Sequence, residues 1–293
     1  MRGAAFGPDG KLLEESQRLG GTNSDLVITV NPPILSSRER DEAAATKLEG
    51  HWLYAGSWMH GFGHFLIETL PTLWPLLEEG AKFDGITAHR FNSPRLHDWQ
   101  TELVQMIFPG KIDVIIDGPK MVQELTLPVR PSQYQGHISP VAAKVWDAIS
   151  AKAGSSNSSR VFLSRTQFEA EQAGSTRGRE YANSAAVDDL FRDKGFTVIY
   201  PEIMSVRDQI KAVRSAPIVA GQGGSALHLS VFTRAGGKVM ELGDRRTTNH
   251  LVGAQQAISF AKGQPTVQVP YVGDSDGNYD LKHLASSLKA LGV

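Results

Sequence analysis

The chain of 293 residues is long enough to bury a sizeable core and to form two domains. Its 30 Lys and Arg against 31 Asp and Glu, a net charge of −1, describe an ordinary globular protein with no overall basic surplus to point to nucleic acid or anionic membrane as the main partner. The absence of cysteine excludes disulfides and a cysteine nucleophile, leaves any metal to His, Asp or Glu, and fits a reducing cytoplasm.

Residues 1–20 carry Arg2, Asp9, Lys11, Glu14 and Glu15, so they lack the apolar centre of a signal peptide and no cleaved leader is expected. A β-branched run at 25–30 reads as a strand, and 31–49 as an exposed connection. Strand 51–55 and loop 56–63 lead to an apolar segment with helical periodicity at 64–79, kinked or restarted at Pro71 and Pro75. Its most apolar part, 62–77, is interrupted by His64 and Glu68 and is shorter than the ~20 apolar residues that span a bilayer. No integral membrane segment is expected, while peripheral membrane association stays open. Strands 85–91, 113–116 and 124–129 and helices 95–108 and 140–153 complete this half, the last opened by Pro140.

Gly154, Ser155, Ser156, Asn157, Ser158 and Ser159 form a small, polar, uncharged connection, which divides the chain into domains 1–154 and 155–293. Beyond it, strands 160–164, 196–200, 217–220, 238–242 and 266–272 alternate with helices 184–194, 205–215, 225–235, 251–261 and 280–291. Ser205 followed by Asp208 marks one helix start. The alternation predicts a parallel, doubly wound sheet whose ligands bind at the carboxyl ends of its strands. The amphipathic last helix is expected to pack on a domain face, the first domain included.

Residues 218–228 read as strand, tight loop and helix. Gly221, Gly223 and Gly224 let a ligand approach the main chain, and N–H groups at a helix start favour an anion, so Gln222, Ser225, Ala226 and His228 lie in a candidate diphosphate cradle. The spacing of Gly221, Gly223 and Ala226, with Glu241 ending the next strand as a ribose-binding acid, also fits the fingerprint of an NAD(P)-dependent oxidoreductase. That fingerprint opens its domain, whereas this loop comes late in its sheet. The late position suits a nucleotide-sugar transferase of the GT-B type, two Rossmann-like doubly wound domains facing across a cleft. A non-catalytic glycan- or nucleotide-binding module of the same fold is the other alternative.

Arg165, ending strand 160–164, points to the same carboxyl edge and can bind phosphate bidentately, with Ser164 as a hydroxyl donor. In the first half, His64 and Glu68 are four residues apart and share one helix face. A histidine kept neutral at a helix start can act as general base, with Glu68 either orienting it or serving as the base itself. His60 with His64, or His64 with Glu68, has metal-ligand spacing without an evident third ligand, so no metal is expected. Asp274, Ser275 and Asp276 read as a polar turn.

The runs Phe162 Leu163 Ser164 Arg165, Gly195 Phe196, Pro201 Glu202 Ile203 Met204 Ser205 Val206 Arg207 Asp208 Gln209, 216–227 and 236–242, with Gly63 His64 Phe65 Leu66 Ile67 Glu68 Thr69 Leu70 Pro71 before them, resemble glycosyltransferase family 61 over about two thirds of the chain. The resemblance implies a GT-B fold and inverting transfer from a nucleotide sugar, a UDP-sugar first, to a hydroxyl of a glycan or glycolipid acceptor. It implies no metal or other cofactor. Among bacterial members it implies capsule or other surface polysaccharide synthesis, in the cytoplasm or at the inner face of the membrane. The family's loop histidine followed by glycine and alanine is here Gly223, Gly224, Ser225 and Ala226, with His228 as the candidate replacement. Arg179 and Asn183 are the approximate counterparts of a donor-contacting arginine and asparagine.

Overall fold

The computed structural model describes residues 3–18, 31–91, 95–115, 118–133, 136–154, 159–171 and 181–293. The predicted strand 25–30, Arg179 and most of the polar connection lie outside these residues. The chain divides into two compact units, Met1–Lys152 and Ala153–Val293.

The first unit contains α1 (Ser37–Ala45), β1 (Lys47–Met59), α2 (Phe62–His64), β2 (Gly85–Phe91), α3 (Asp98–Gln105), β3 (Lys111–Ile115), β4 (Met121–Thr126) and α4 (Val141–Ala153). α1 replaces the expected connection at 31–49. The local signal is a capping box, in which Ser36 Oγ accepts the Glu39 N–H at 3.3 Å and the Glu39 carboxylate accepts the Ser36 N–H at 2.9 Å. β1 runs past the predicted 51–55 to Met59, and Trp52 to Met59 are all buried, as in a strand flanked on both sides.

The four-stranded sheet has the order β3-β2-β1-β4 and is parallel throughout. The β1 to β2 register shifts between Tyr54 and Ser57, around Gly56 with φ +68, a bulge that only glycine accommodates readily. Strand order reverses between β1 and β4, so the crevice at their carboxyl ends is the topological switch point at which doubly wound sheets bind ligands.

The apolar segment after β1 is one α-helical turn, a π-helical turn at Phe65–Thr69 and a 3-10 helix at Leu70–Leu77. Pro71 and Pro75 cannot donate main-chain hydrogen bonds, which breaks the regular helix as expected. Two threonines fasten the segment to β1: Thr69 Oγ1 donates to the Ser57 carbonyl at 2.8 Å, and Thr72 Oγ1 lies 3.1 Å from that of Ala55. The buried Trp146 of α4 donates to the Leu66 carbonyl at 2.8 Å.

The second unit contains β5 (Arg160–Leu163), α5 (Thr166–Glu171), α6 (Ser184–Asp193), β6 (Phe196–Ile199), α7 (Val206–Arg214), β7 (Ile218–Gln222), β8 (Lys238–Leu242), α8 (Gly253–Lys262), β9 (Thr266–Val269) and α9 (Leu281–Ala290). Its five strands are all parallel in the order β6-β5-β7-β8-β9, a Rossmann-like doubly wound sheet. α5 is an addition that the sequence reading lacks, whereas Ser205 caps α7 as expected, accepting the Asp208 N–H at 3.1 Å. Phe162 and Phe191 stack with ring centroids 3.9 Å apart at the heart of the core. Leu284 and Leu288 of α9 belong to that same core, so the last helix serves its own unit. Order reverses here between β5 and β7.

The expected helix 225–235 is instead a turn followed by a 3-10 helix of six residues, Leu227–Phe232, in which every residue is buried. Thr233 Oγ1 and Gln264 Nε2 both donate to the Ser230 carbonyl, at 2.9 and 2.8 Å, where a continuing α-helix would place its own N–H. So short an element has little dipole to offer an anion. Among the described residues, no helix is long and apolar enough to cross a membrane.

Candidate active site

In the first unit the structure joins His64 to Glu68 and adds a residue that spacing could not supply. Glu68 is 8% exposed on the π-helical turn, and its carboxylate accepts from Arg18 Nε at 2.6 Å, Arg18 NH2 at 2.8 Å and His64 Nδ1 at 2.6 Å. Burial opposes ionisation of Glu68, but the hydrogen bonds from His64 and Arg18 outweigh it and hold its pKa below the ordinary carboxyl value. Glu68 is therefore ionised at neutral pH and clamps the imidazole. A carboxylate on Nδ1 keeps the proton there and makes Nε2 the basic nitrogen. The His64 side chain is 39% exposed, open enough to meet a substrate.

The same unit holds a second buried polar group. Tyr54 OH is 2.7 Å from His89 Nδ1, and Ser57 Oγ is 3.2 Å from His89 Nε2. Burial, with the charge of Arg130 adding to it, pushes the His89 pKa down to about 3, so this imidazole is neutral. Arg130 follows β4 and donates from NH2 to the Ser16 carbonyl at 2.8 Å. Of the other histidines considered for metal, His60 Nδ1 pairs with His97 Nε2 at 3.1 Å; among the described residues no three metal-ligating side chains converge.

In the second unit, Ser164, Arg165 and Gln222 from the predicted set line one pocket at the β5/β7 switch point. Tyr181, Thr166 and Asp188 line it too, and the sequence reading singled out none of these. Asp188 is buried and is the hub: Ser164 Oγ, Thr166 Oγ1 and Tyr200 OH donate to its Oδ2 at 3.0, 2.9 and 3.0 Å. The Ser164 proton assigned to phosphate from the sequence is thus engaged by Asp188. Arg165 lies over the Phe168 ring, its guanidinium carbon 4.9 Å from the centroid. Gln222 is 5% exposed, and its Oε1 has no hydrogen-bond partner among the described residues. A buried, unsatisfied acceptor facing a pocket suits an N–H or O–H group of a ligand.

The other predicted residues scatter. Gly221 packs against β5, with the place of a Cβ only 3.1 Å from the Leu163 carbonyl oxygen. Gly224, Ser225 and Ala226 are partly exposed in the turn, while Gly223 and His228 are buried. Glu241 is fully buried at the end of β8; its Oε1 accepts the Val252 N–H at 2.8 Å and its Oε2 has no partner among the described residues. Burial raises its pKa to about 7. A Cβ on Gly223 would fall 2.9 Å from Glu241 Oε1, so the acid sits directly under the loop, away from the pocket that Gln222 lines. Asn183 closes a side-chain bridge to Tyr279, donating to its carbonyl at 3.0 Å and accepting its N–H at 2.8 Å. The Asp274 carboxylate accepts from the Asn278 main chain and side chain at 2.9 and 2.8 Å, the polar turn expected there.

The glycine loop follows β7, the third strand of its unit in chain order, whereas the dinucleotide fingerprint occupies the turn after the first. The turn after β5 carries Ser164 and Arg165 and no glycine. The unit is Rossmann-like, but its glycine loop does not stand where the dinucleotide fingerprint of an oxidoreductase would. A family model described as Glycosyltransferase 61 matches residues 62–240, more than half of the chain, and the chain belongs to that family of glycosyltransferases. The match contains His64, Glu68 and the β5/β7 pocket, while Arg18 lies outside it. No curated protein matches the chain.

Proposed function

We propose that the protein is an inverting glycosyltransferase of the GT-B type that moves a sugar from a nucleotide sugar, a UDP-sugar first, to a hydroxyl of a glycan or glycolipid acceptor. The observation that carries the reading is the Glu68 carboxylate held between Arg18 and His64 Nδ1. It supports His64 as base and Glu68 as its positioning residue. In the proposed step the acceptor oxygen bonds to the anomeric carbon as its proton passes to His64 Nε2. The bond from that carbon to the diphosphate breaks, and its electron pair leaves with the nucleotide.

The donor side is assigned to the second unit. Arg165 offers a guanidinium to the diphosphate, the main chain of Gly224, Ser225 and Ala226 is open to it, and Gln222 Oε1 accepts from the nucleoside. With that cation and those N–H groups on the leaving group, transfer is proposed to need no metal and no further cofactor. Synthesis of a surface polysaccharide such as capsule, by a cytoplasmic enzyme working at the inner face of a membrane, is the setting that the family resemblance suggests.

Nucleotide release from a panel of UDP-, GDP-, CMP- and dTDP-sugars tests this reading, together with thermal shift, because a bound donor stabilises the fold by mass action. One donor should raise the melting temperature of the wild type and of His64→Ala alike, and His64→Ala should lower turnover about 10²–10⁴-fold. A panel without any shift, or full turnover in His64→Ala, refutes it.

A further inference from the structure

We infer that the crevice at the carboxyl ends of β1 and β4 is an anion subsite, so that the acceptor carries a carboxylate or phosphoryl group bound by Arg130; this deepens the reading of the His64 side as the acceptor side. Charge is the first ground. Two guanidinium groups, Arg18 and Arg130, enter this region with one carboxylate, Glu68, whose oxygens go to Arg18 and His64. Among the described residues, no carboxylate lies within ion-pair distance of Arg130, and the Ser16 carbonyl is its only hydrogen-bond acceptor. Glu68 acts on the Arg130 charge from beyond ion-pair distance while its oxygens are held by Arg18 and His64, and the nearby Tyr54 and His89 are neutral, because burial pushes the phenol up and the imidazole down to about 3. Burial draws Arg130 itself below the usual arginine range; Tyr54 and Glu68 oppose this without overcoming it, and repulsion from Arg18 adds a smaller push in the same direction. A positive charge in such surroundings is poorly compensated and attracts an oxyanion strongly.

Placement is the second ground. Arg130 follows β4 and His64 follows β1, the two strands between which the sheet order reverses. The fold also makes room for the guanidinium. Gly56 sits in the β1 bulge at φ +68, and a Cβ there would come within 2.7 Å of Arg130 NH2. An arginine with unused N–H groups binds planar carboxylate or phosphoryl oxygens in pairs, which would orient the neighbouring hydroxyl of the same molecule. A uronic-acid residue and a sugar phosphate share this chemistry.

The test is equilibrium binding to the full chain, without donor, of methyl β-D-glucuronide, glucose 6-phosphate and methyl β-D-glucoside, followed by ligand-observed NMR. At least one anionic sugar should bind about tenfold more tightly than the neutral glucoside. The tighter of the two shows whether a carboxylate or a phosphoryl group is preferred. Arg130→Gln should abolish the advantage, and Arg165→Gln, in the other unit, should leave it. Gly56→Ala, which displaces the guanidinium without removing it, should weaken anion binding too, and serves if Arg130→Gln does not fold. No preference for either anion, a preference that survives loss or displacement of Arg130, or one that depends on Arg165 overturns the inference. Since no turnover is read, such a failure leaves transfer by His64 standing, whereas anion binding in a protein that releases no nucleotide from any donor would refute the transferase reading alone.

Discussion

At the crevice beside β1 a buried, ionised carboxylate ties a cation to an imidazole, Arg18 to Glu68 to His64, while beside β5 three hydroxyls converge on Asp188 and the cation, Arg165, lies partly exposed over Phe168. Both places are switch points of parallel sheets, so topology does not account for the difference. The chemistry proposed for each would. A base must hold one tautomer while a proton arrives, which calls for a buried carboxylate saturated by fixed donors. A diphosphate that enters and leaves in each turnover is better met by a partly exposed cation that lines the pocket, as Arg165 does over Phe168.

The largest effect should come from breaking the ionised network. Arg18→Met leaves a buried carboxylate without its bidentate partner and should cost about 3–5 kcal/mol in denaturant unfolding, with turnover falling as well. If it costs less than 1 kcal/mol (~1, the scale of an exposed pair), the network is a surface feature and the contrast between the units collapses. Next, Asp188→Ala removes the acceptor of three hydroxyls in the other unit and should cost about 2–3 kcal/mol, while leaving proton abstraction by His64 untouched in enzyme saturated with donor.

The two units should also answer pH with opposite signs. Glu68 titrates below the ordinary carboxyl value, so its contribution is present above that value and is lost as pH falls through its lowered pKa. Glu241 titrates above it, at about 7 against 4.5, so its protonated form stabilises the fold below 4.5 and that contribution is lost as pH rises through 7. Unfolding of Glu241→Gln followed across this range should therefore lack the decline of the wild type; parallel curves would show that folding does not raise the Glu241 pKa. The smallest change is expected from Arg165→Gln, with stability held within about 0.5 kcal/mol and donor affinity lowered about tenfold.

Much of the architecture could be read from the chain. Strands β2 and β8 coincide with the predicted 85–91 and 238–242, because a short apolar run flanked by turn residues has one way to be buried in a parallel sheet. Helices fared differently. The span 225–235 looks helical by periodicity, yet the Ser230 carbonyl is claimed by Thr233 and by Gln264, thirty-four residues away, which no local window contains. The pairing of His64 with Glu68 was legible because both lie on neighbouring turns of one segment. Arg18, fifty residues from Glu68, was not, and neither was Asp188, which looked like any acid on a helix until the strands brought hydroxyls to it.

What the sequence by itself determined is therefore the family, the alternation that builds two parallel α/β units, and the residue types able to move a proton or hold a phosphate. Only the tertiary structure decided which partners each one meets. It made Glu68 an ionised clamp, turned Ser164 toward Asp188, buried Glu241 beneath the loop, and, among the described residues, placed no carboxylate within ion-pair distance of Arg130. The reason is physical: a side chain's charge state and free hydrogen-bonding capacity depend on burial and on partners from other strands, and neither is encoded in the spacing of its own neighbours.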